Sequence, residues 1–330
     1  MFEIKDKFLK GYKFIDLFAG IGGFHYALSS CGATCVFASE WDKPASQTYS
    51  ENFGITPFGD ITKINEEQIP DHDILCGGFP CQAFSISGKQ RGFEDTRGTL
   101  FFDIARIVKY KKPKILILEN VKNLITHNNG KTFKTISEVL KSLGYTLFFK
   151  NLNTSNFGLP QHRERIYITA FRNDLDIKYK VFKFPEMKQN SCLNNVLEKN
   201  PPDAKIITRN DIQINKKFIT TPITFNGEYF PNKPCQIGIV NKGGQGERIY
   251  HPIGHAITLS AYGGGVGAKT GLYLIDEKVR KLSVRECARL QGFPESFIIT
   301  KNKNQAYKQF GNSISIDVLQ YILLEIKKIL

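Results

Sequence analysis

Short apolar runs alternate with amphipathic stretches over residues 1–170, and this alternation restricts the possible folds more than any other feature of the chain. The apolar runs, each of which predicts a strand, are Lys13–Phe18, Thr34–Ser39, Ile74–Cys76, Ile115–Glu119, Thr146–Leu152 and Ile166–Phe171. The amphipathic stretches, each of which predicts a helix, are Gly22–Ser30, Pro44–Asn52, Leu100–Lys109 and Lys131–Leu143. Strands that alternate with helices form parallel sheets with crossover connections. We therefore predict an α/β fold with a doubly wound, Rossmann-like sheet.

The composition is that of a folded, basic protein. The 330 residues include 45 Lys and Arg against 31 Asp and Glu, a formal net charge of +14. This excess favours a polyanionic partner, because binding to phosphates releases counterions, but charge alone leaves nucleic acid as only one possibility. Seven irregularly spaced cysteines do not predict a disulfide framework. No apolar run approaches the length of a membrane span, and residues 1–13 lack a secretory signal, so we expect a cytoplasmic protein without membrane contact.

The later part of the chain has a different character. Residues 183–234 are rich in proline and asparagine and predict a connector. Residues 236–271 are rich in glycine, and the strand-like residues 256–262 lie among those glycines, which favours β structure whose loops approach a ligand closely. Residues 305–330 predict a loop and an amphipathic helix. The chain therefore predicts a second, smaller glycine-rich β domain.

A glycine turn follows the first predicted strand. Residues 14–24 read FIDLFAGIGGF, an apolar strand that ends in this turn and opens a helix. Such a turn brings main-chain N–H groups and a helix N-terminus close to a bound nucleoside. The glycines, Gly20, Gly22 and Gly23, lack the G-x-G-x-x-G spacing of a dinucleotide site. Glu40 ends the next predicted strand, where a carboxylate can accept hydrogen bonds from both ribose hydroxyls.

Two further residues extend the candidate cofactor pocket. Trp41, the only tryptophan, could cover an adenine face. Asp60 could accept a hydrogen bond from the adenine amino group, although a helix cap before Ile61 is the favoured interpretation of Asp60 taken alone. Together with the glycine turn, these residues predict a nucleoside cofactor without a pyrophosphate, such as S-adenosylmethionine.

Three kinds of reactive side chain are expected at one edge of the sheet. Cys81 lies in the sequence GGFPCQAFS, which predicts a loop, although most cysteines are inert apolar groups. Glu119 follows the next strand, and the carboxyl ends of neighbouring parallel strands meet at the same edge. Arg163 and Arg165 point the same way if their segment is extended. His162 is a conceivable base for Cys81, but a solvated position is the favoured interpretation.

The ordered motifs FAGxGG, GFPCQ, ENV and QxRxR resemble those of the DNA (cytosine-5) methyltransferases. RECARLQGFP at 285–294 and QAYKQFGNSI at 305–314 resemble the last two motifs of that family, so the resemblance spans nearly the whole chain. It implies an S-adenosylmethionine-dependent methyltransferase sheet with a smaller glycine-rich β domain. The implied domains are a catalytic and cofactor-binding domain at 1–193, a DNA target-recognition domain at 194–283, and a hinge and C-terminal helix at 284–330 that return to the catalytic domain.

The resemblance also implies a mechanism. The Cys81 thiolate adds to C6 of cytosine while Glu119 supplies a proton or a hydrogen bond at N3, which makes C5 nucleophilic. C5 takes the methyl group, and loss of the C5 proton with elimination of Cys81 restores the ring. Arg165, with Arg163, would hold the base carbonyl and the negative charge beside it. The target cytosine must leave the base stack for this chemistry.

The resemblance assigns binding residues position by position. Those implied for the cofactor are Phe18, Ala19, Gly20, Gly22, Gly23, Glu40, Trp41, Asp60, Ile61, Pro80, Leu100 and Asn312, and no metal is implied. Those implied for DNA are Ser85, Ser87, Lys89, Arg97, Gln245, Arg248, Tyr262 and Gly265. Ser87, on a lid formed by residues 82–99, and Gln245 would enter the duplex. Arg248 would read a guanine, a phosphate contact being the alternative.

Residues 238–267 resemble the recognition segment of one branch of the family, which implies the target GCGC with its first cytosine modified. The implied partner is double-stranded DNA, bound by a monomer, and a cognate restriction endonuclease is expected from the family. Residues 190–235 match the family poorly. His251, Pro252 and His255 replace less bulky residues, so DNA contacts there could differ.

Three alternatives stay open for the sequence. A tRNA cytosine-5 methyltransferase shares the motif order and differs in the recognition segment. A catalytically dead DNA-binding module would carry a substituted Cys81 or Glu119, and both residues are present. A nicotinamide dehydrogenase is disfavoured by the glycine spacing.

Overall fold

A computed structural model of the chain describes residues 4–80, 100–175, 179–215 and 232–330. The chain divides into two compact units. The first, which we call the large-sheet unit, comprises Glu3–Leu152, Glu164–Pro185 and Leu319–Leu330. The second, the small-sheet unit, comprises mainly Asn153–Arg163 and Glu186–Val318. The predicted limits of the functional domains at residues 193 and 283 remain predictions.

The described strands of the large-sheet unit form a six-stranded sheet of order β2-β1-β3-β4-β6-β5. These strands are β1 (Lys13–Leu17), β2 (Thr34–Ser39), β3 (Ile74–Gly78), β4 (Ile115–Val121), β5 (Tyr145–Asn153) and β6 (Glu164–Arg172). β1 pairs in parallel with β2 and β3, and β3 pairs in parallel with β4, as the alternation predicts.

β6 differs from the predicted parallel arrangement, because it runs antiparallel to β4. The connection from β5 to β6 contains the 3-10 helix Thr154–Phe157 and no α-helix. A parallel strand needs a long crossover, usually helical, so the short connection reverses the chain direction instead. The sheet is therefore mixed at this side.

The apolar runs form strands because both faces of the sheet are covered. β3 and β4 are buried through their first four residues and become partly accessible only at Gly78 and Glu119. The helices that accompany the sheet are α1 (Gly23–Ser30), α2 (Lys43–Phe53), α3 (Leu100–Lys111) and α4 (Lys131–Ser142). Leu75, Leu116 and Ile168 belong to one buried core with residues of α3 and α4. This core leaves the carboxyl ends of β3 and β4 as the accessible edge.

In the small-sheet unit, five of the strands that the structure describes form a sheet of order β11-β10-β9-β8-β7. Its strands are β7 (Gln213–Ile214), β8 (Cys235–Ile239), β9 (Arg248–His251), β10 (Leu272–Ile275) and β11 (Lys278–Arg280). The described α-helices of this unit are α5 (Val284–Leu290) and α6 (Lys303–Asn312). A further described helix, α7 (Ile316–Lys327), begins in this unit and ends in the large-sheet unit. Ser283 and Glu286 form a reciprocal capping box at the start of α5.

The strand-like residues 256–262 do not form a strand, which corrects the prediction for that segment. Only Ala256 forms an isolated bridge, with Gln161, and the rest of the segment is irregular. Hydrogen bonds that involve side chains hold this segment in place of a strand ladder. The Leu259 N–H donates to the Gln161 side chain, and the Thr258 hydroxyl donates to the His162 carbonyl. None of the described helices is long and apolar enough to traverse a lipid bilayer.

Candidate functional site

The turn between β1 and α1 lies beside the end of β2, because the Ala19 N–H donates to the Ser39 carbonyl oxygen at 2.9 Å. Phe18, Gly20 and Gly22 all have left-handed backbone angles, with φ of 56°, 56° and 87°. A Cβ on Gly22 would lie 2.1 Å from the Phe53 ring, whereas a Cβ on Gly20 would meet nothing within 4 Å. Gly22 is therefore required for packing, and Gly20 borders open space.

Glu40 is held against this turn. Its Oε2 accepts a hydrogen bond from the Gly20 N–H at 2.8 Å, and its Oε1 accepts one from the Asp42 N–H at 2.7 Å. Burial raises the pKa of the Glu40 carboxyl, while the two N–H donors act in the opposite direction. Each carboxylate oxygen keeps a further lone pair, so the arrangement fits a ligand that carries a pair of hydroxyls. Trp41, beside Glu40, is 78% exposed.

Asp60 caps the 3-10 helix Ile61–Lys63, which confirms the cap interpretation of this residue. Its Oδ1 accepts from the Thr62 N–H at 3.1 Å and from the Thr62 hydroxyl at 2.8 Å. The bond from the Thr62 hydroxyl is the main reason why the pKa of Asp60 is lowered. The chain reaches Asp60 through a bridge from Ser39 to Phe58 beside β2, so Asp60 follows the same edge as Glu40. The Asp60 side chain remains accessible to a ligand.

The other predicted cofactor residues have diverse environments. Ala19 and Ile61 are buried, Gly23 is buried at the start of α1, and Leu100 is half-buried at the start of α3. Pro80 is exposed directly after β3. Asn312 is exposed at the end of α6 in the small-sheet unit.

A carboxylate and a guanidinium group meet at the carboxyl end of β4. The Arg165 Nε lies 3.1 Å from the Glu119 Oε1, and both side chains are mostly buried. Antiparallel pairing of β4 with β6 sets Val121 opposite Arg165, which brings this guanidinium to the edge. The reversal of β6 therefore delivers Arg165 to Glu119.

The chain that leads to Cys81 is held beside Glu119. Gly78 pairs in register with Glu119, and a Cβ on Gly78 would lie 3.4 Å from the Glu119 Oε2. The Asn120 Nδ2 donates to the Phe79 carbonyl at 2.7 Å. Cys81 itself lies outside the described residues, as do Ser85, Ser87, Lys89 and Arg97. The described part of the site ends at Pro80, one residue before the predicted nucleophile.

Arg163 does not share the environment of Arg165, which corrects the expectation that the two guanidinium groups point the same way. Arg163 is 2% exposed, and its guanidinium donates to the carbonyls of Leu259, Gly311 and Ser313 in the small-sheet unit. This geometry indicates a structural role for Arg163. His162 is half-buried rather than fully solvated, and its Nδ1 lies 3.0 Å from the Asn153 Nδ2.

The predicted DNA residues of the small-sheet unit lie on two adjoining loops. Gln245 is exposed on one loop and Arg248 is exposed at the start of β9, which follows it, while Tyr262 and Gly265 are exposed on the other loop. The Gly267 N–H donates to the Gly246 carbonyl at 2.7 Å, so the two loops are joined through their main chains. Gly265 also lies against the first loop, since a Cβ on it would be 3.5 Å from the Gln245 carbonyl oxygen.

His255 and His251 have structural partners. His255 is fully buried, and its Nε2 lies 3.1 Å from the Ser191 carbonyl oxygen. The His251 Nδ1 accepts from the Ile253 N–H at 3.1 Å. Burial lowers the pKa of both imidazoles. His255 therefore acts inside the unit, where it anchors Ser191 of the connector.

Sequence reasoning missed Gln161 and Gln291, two fully buried amides of the small-sheet unit. Gln161 lies in the QxRxR motif and Gln291 in RECARLQGFP, but nothing in their local sequence distinguishes a buried amide from a surface one. Across the described part of the chain, no group of three or more His, Cys, Asp or Glu side chains could hold a metal ion.

Known proteins resemble the chain over nearly its full length. The family of C-5 cytosine-specific DNA methylases matches residues 12–328. The type II methyltransferase M.HhaI of Haemophilus parahaemolyticus is 55% identical over 333 aligned residues, which cover 99% of this chain and 97% of that protein. The type II methyltransferase M.NgoBI of Neisseria gonorrhoeae is 45% identical and covers 94% of this chain and 91% of its own.

Among solved structures, the S. pombe Dnmt2 methyltransferase has a TM-score of 0.68 at 23% identity, and the match covers 96% of this chain and 98% of that one. The Entamoeba histolytica methyltransferase EhMeth has the same TM-score at 18% identity, with 96% and 98% covered. At these identities the likeness establishes the fold alone. It confirms the predicted α/β methyltransferase architecture.

Proposed function

The chain belongs to the C-5 cytosine-specific DNA methylase family, and from this premise we propose that Cys81, Glu119 and Arg165 transfer a methyl group to C5 of a cytosine in duplex DNA. The observation that carries the proposal is the Glu119–Arg165 pair, which lies at the carboxyl end of β4. Gly78, three residues before Cys81 in the sequence, pairs with Glu119 at the same edge. Open α/β sheets bind their ligands at this edge.

The residues of the chain act in a fixed order. Cys81, as a thiolate, forms a bond to C6 of the cytosine, and Glu119 donates a proton or a hydrogen bond to N3, so that electron density moves to C5. C5 then forms the new bond to the methyl group. The C5 proton then passes to solvent, the Cys81–C6 bond breaks to give back the thiolate, the N3 proton returns to Glu119, and the ring is restored. Arg165 orients Glu119 and stabilises negative charge on the base.

The cofactor class is that of the S-adenosylmethionine-dependent methyltransferases, and when bound the cofactor supplies an electrophilic methyl group. Glu40 would accept hydrogen bonds from the ribose hydroxyls, and Gly20 would offer a surface without a side chain. Asp60 would accept from the adenine amino group with the lone pairs that its capping bonds leave, and Trp41 and Phe18 would contact the adenine ring. The open space at Gly20 and the fixed Glu40 carboxylate support this assignment.

We further propose GCGC as the target sequence, with its first cytosine modified. Arg248 would contact a guanine edge, and Gln245, with Ser87, would fill the space that the flipped cytosine leaves. The exposure of Gln245 and Tyr262 on adjoining loops, and of Arg248 at the start of β9, supports a DNA-reading surface. Pairing with a restriction endonuclease that cuts the same sequence follows from the type II names of the relatives.

Bisulfite sequencing of plasmid DNA treated with the protein and S-adenosylmethionine tests this proposal. We expect conversion-resistant cytosines at the first cytosine of GCGC, and none with Cys81→Ala. A duplex that carries 5-fluorocytosine at the target should become covalently attached to the natural chain and not to this variant. Methylation of another sequence would overturn the target, and methylation that survives in Cys81→Ala would overturn the mechanism.

The substrate itself needs a direct comparison, because a tRNA cytosine-5 methyltransferase would share this catalytic edge. Transfer of a radiolabelled methyl group should be faster to duplex DNA than to tRNA at equal concentration of target cytosines. Preference for tRNA would contradict the proposed substrate and leave the chemistry at Cys81 intact.

A further inference from the structure

The Arg163 guanidinium joins two chain segments of the small-sheet unit. Its Nη1 donates to the Leu259 carbonyl at 3.3 Å, and both Nη atoms lie 3.3 Å from the Gly311 carbonyl oxygen. Its Nη2 donates to the Ser313 carbonyl at 2.6 Å. We call these three carbonyl oxygens the carbonyl cradle. Because the guanidinium is planar and rigid, one side chain keeps the two segments in one relative geometry.

The two segments lead to exposed residues that have different predicted partners. Leu259 is followed three residues later by Tyr262, which is 79% exposed and is a predicted DNA contact. Gly311 and Ser313 flank Asn312, which is exposed between buried neighbours and is a predicted cofactor contact. Arg163 is therefore the buried link between the segment that leads to a predicted DNA contact and the segment that carries a predicted cofactor contact.

The segments also pack against each other directly. A Cβ on Gly311 would lie 2.4 Å from the Ala261 nitrogen and 2.5 Å from the Ser260 carbonyl carbon. The atoms that Gly311 faces belong to the main chain of Ser260 and Ala261, so rotation of a side chain could not separate the two segments. A displacement of the segment at 260–261 must therefore displace the segment at 311–313, or open a gap beneath it.

Two buried amides keep the cradle in place. The Gln161 Oε1 accepts from the Leu259 N–H at 3.1 Å, and its Nε2 donates to the Leu290 carbonyl at 2.9 Å. The Gln291 Nε2 donates to the Phe310 carbonyl at 2.8 Å. Both amides act on the segments that Arg163 joins, so the three side chains form one buried polar network.

We propose that Arg163 is a positioning residue that couples cofactor binding to DNA binding, by fixing the segment before Tyr262 and the segment around Asn312 in one geometry. The inference rests on the proposed function, because that function supplies the partners of Tyr262 and Asn312. Coupling between two sites is reciprocal, so DNA should tighten cofactor binding by the same factor as the cofactor tightens DNA binding. The role differs from that of Arg165, which contacts Glu119 at the reacting edge.

The test measures the dissociation constant of S-adenosylhomocysteine with and without a duplex that the natural chain methylates. For the natural chain we expect the duplex to tighten this binding by roughly 5- to 150-fold, the usual range of coupling between two sites. Arg163→Lys should reduce the factor to about 2 or less, since one ammonium cannot span the three carbonyls of the cradle.

Arg285→Lys is the matched control. Arg285 also donates to two main-chain carbonyls of the small-sheet unit, those of Pro294 and Phe297 at 3.1 and 3.0 Å, and it does not touch the cradle. It should keep the coupling factor of the natural chain. A folded Arg163→Lys protein with the full coupling factor would overturn the inference, as would a factor of 1 in the natural chain.

A measurement on the natural chain covers the case in which Arg163→Lys does not fold. Hydrogen exchange should slow at residues 310–314 when DNA alone is added, and at residues 259–262 when S-adenosylhomocysteine alone is added. Unchanged exchange at both segments would overturn the coupling. If the natural chain methylates no duplex, the proposed function fails with it; if methylation is normal and coupling is absent, only this inference fails.

Discussion

At the scale of single residues, the proposed chemistry depends on the contact between the Glu119 carboxylate and the Arg165 guanidinium. Both side chains are mostly buried, and a charge-assisted hydrogen bond is strong in such surroundings. The guanidinium can orient Glu119 and still present further donors to a base carbonyl. An ammonium group at the same place would keep the charge and lose this planar geometry.

Arg165→Lys should therefore reduce the rate of methyl transfer at saturating DNA and cofactor by about 100-fold, the order found when one donor to a developing anion is removed. Binding of S-adenosylhomocysteine should not change. Arg172→Lys provides the control, because Arg172 lies on the same strand and pairs with the exposed Asp174. Rapid methyl transfer by Arg165→Lys would show that Glu119 is oriented by other groups.

His25 makes the stability of the large-sheet unit depend on pH. Burial lowers the pKa of its imidazole from 6.5 to about 4. Its Nδ1 lies 2.6 Å from the Tyr49 hydroxyl, and its ring stacks on Phe53 at 4.0 Å. As the pH falls below 6.5, the unfolded chain takes up a proton at this imidazole before the folded chain does, so stability decreases until the pH reaches the folded pKa.

His25→Gln should reduce the loss of unfolding free energy between pH 7 and pH 5 by about 2 kcal/mol, the value that linkage assigns to this shift. Gln cannot titrate, and its amide can still bond to Tyr49. Urea unfolding at the two pH values, followed by circular dichroism, measures the difference. An equal pH dependence in both proteins would mean that His25 has a similar pKa in the folded and unfolded chains.

At the scale of elements, the turn from β1 to α1 combines two glycines with different requirements. Gly22 is blocked by Phe53, whereas Gly20 borders open space and has a left-handed φ of 56°. Packing within the unit therefore requires glycine at position 22. The cofactor proposed for this turn requires glycine at position 20.

Gly20→Ala and Gly22→Ala should separate these requirements. Gly20→Ala should cost about 1–2 kcal/mol of unfolding free energy, from the left-handed backbone alone, and should weaken S-adenosylhomocysteine binding by more than about tenfold. Gly22→Ala should be the less stable of the two, because its methyl group must also displace Phe53. Urea unfolding and calorimetric titration measure the two quantities. Normal cofactor binding by Gly20→Ala would place the cofactor away from this turn.

At the scale of the whole molecule, the net charge of +14 favours DNA but does not select a sequence. Selection requires contacts with base edges, which phosphate contacts do not provide. Arg248 is exposed at the start of β9, and its Nε lies 3.4 Å from the Gly243 carbonyl oxygen. This weak contact leaves the guanidinium able to turn toward a base.

Arg248→Gln should weaken binding to a GCGC duplex by 1–3 kcal/mol and leave binding to an unrelated duplex nearly unchanged. If Arg248 contacts phosphate instead, both duplexes should bind more weakly and the salt dependence should fall by about one unit of slope. Fluorescence anisotropy at several salt concentrations separates the two results. Arg209→Gln is the control, since the exposed Arg209 of the same unit pairs with Asp211.

The local sequence was sufficient to predict the strands that precede the site and the types of residue at the edge of the sheet. The runs that became β1 to β4 were predicted to within about two residues, because a strand buried on both faces must be continuously apolar. The glycine turn and Glu40 were also predicted as neighbours, and the Gly20–Glu40 hydrogen bond joins them. Composition and spacing predict these features because each of them depends on residues that are close together in the sequence.

Tertiary structure alone decided the direction of β6, the irregular course of residues 256–262 and the separate environments of Arg163 and Arg165. Both arginines belong to the QxRxR motif and carry the same guanidinium group. Arg163 nevertheless binds main-chain carbonyls, whereas Arg165 binds Glu119. The burial of Gln161 and Gln291 was likewise invisible in the sequence. Such differences depend on partners that are distant along the chain. Polar groups that the fold buries must find hydrogen-bond partners, and a local sequence pattern does not show which polar groups will be buried.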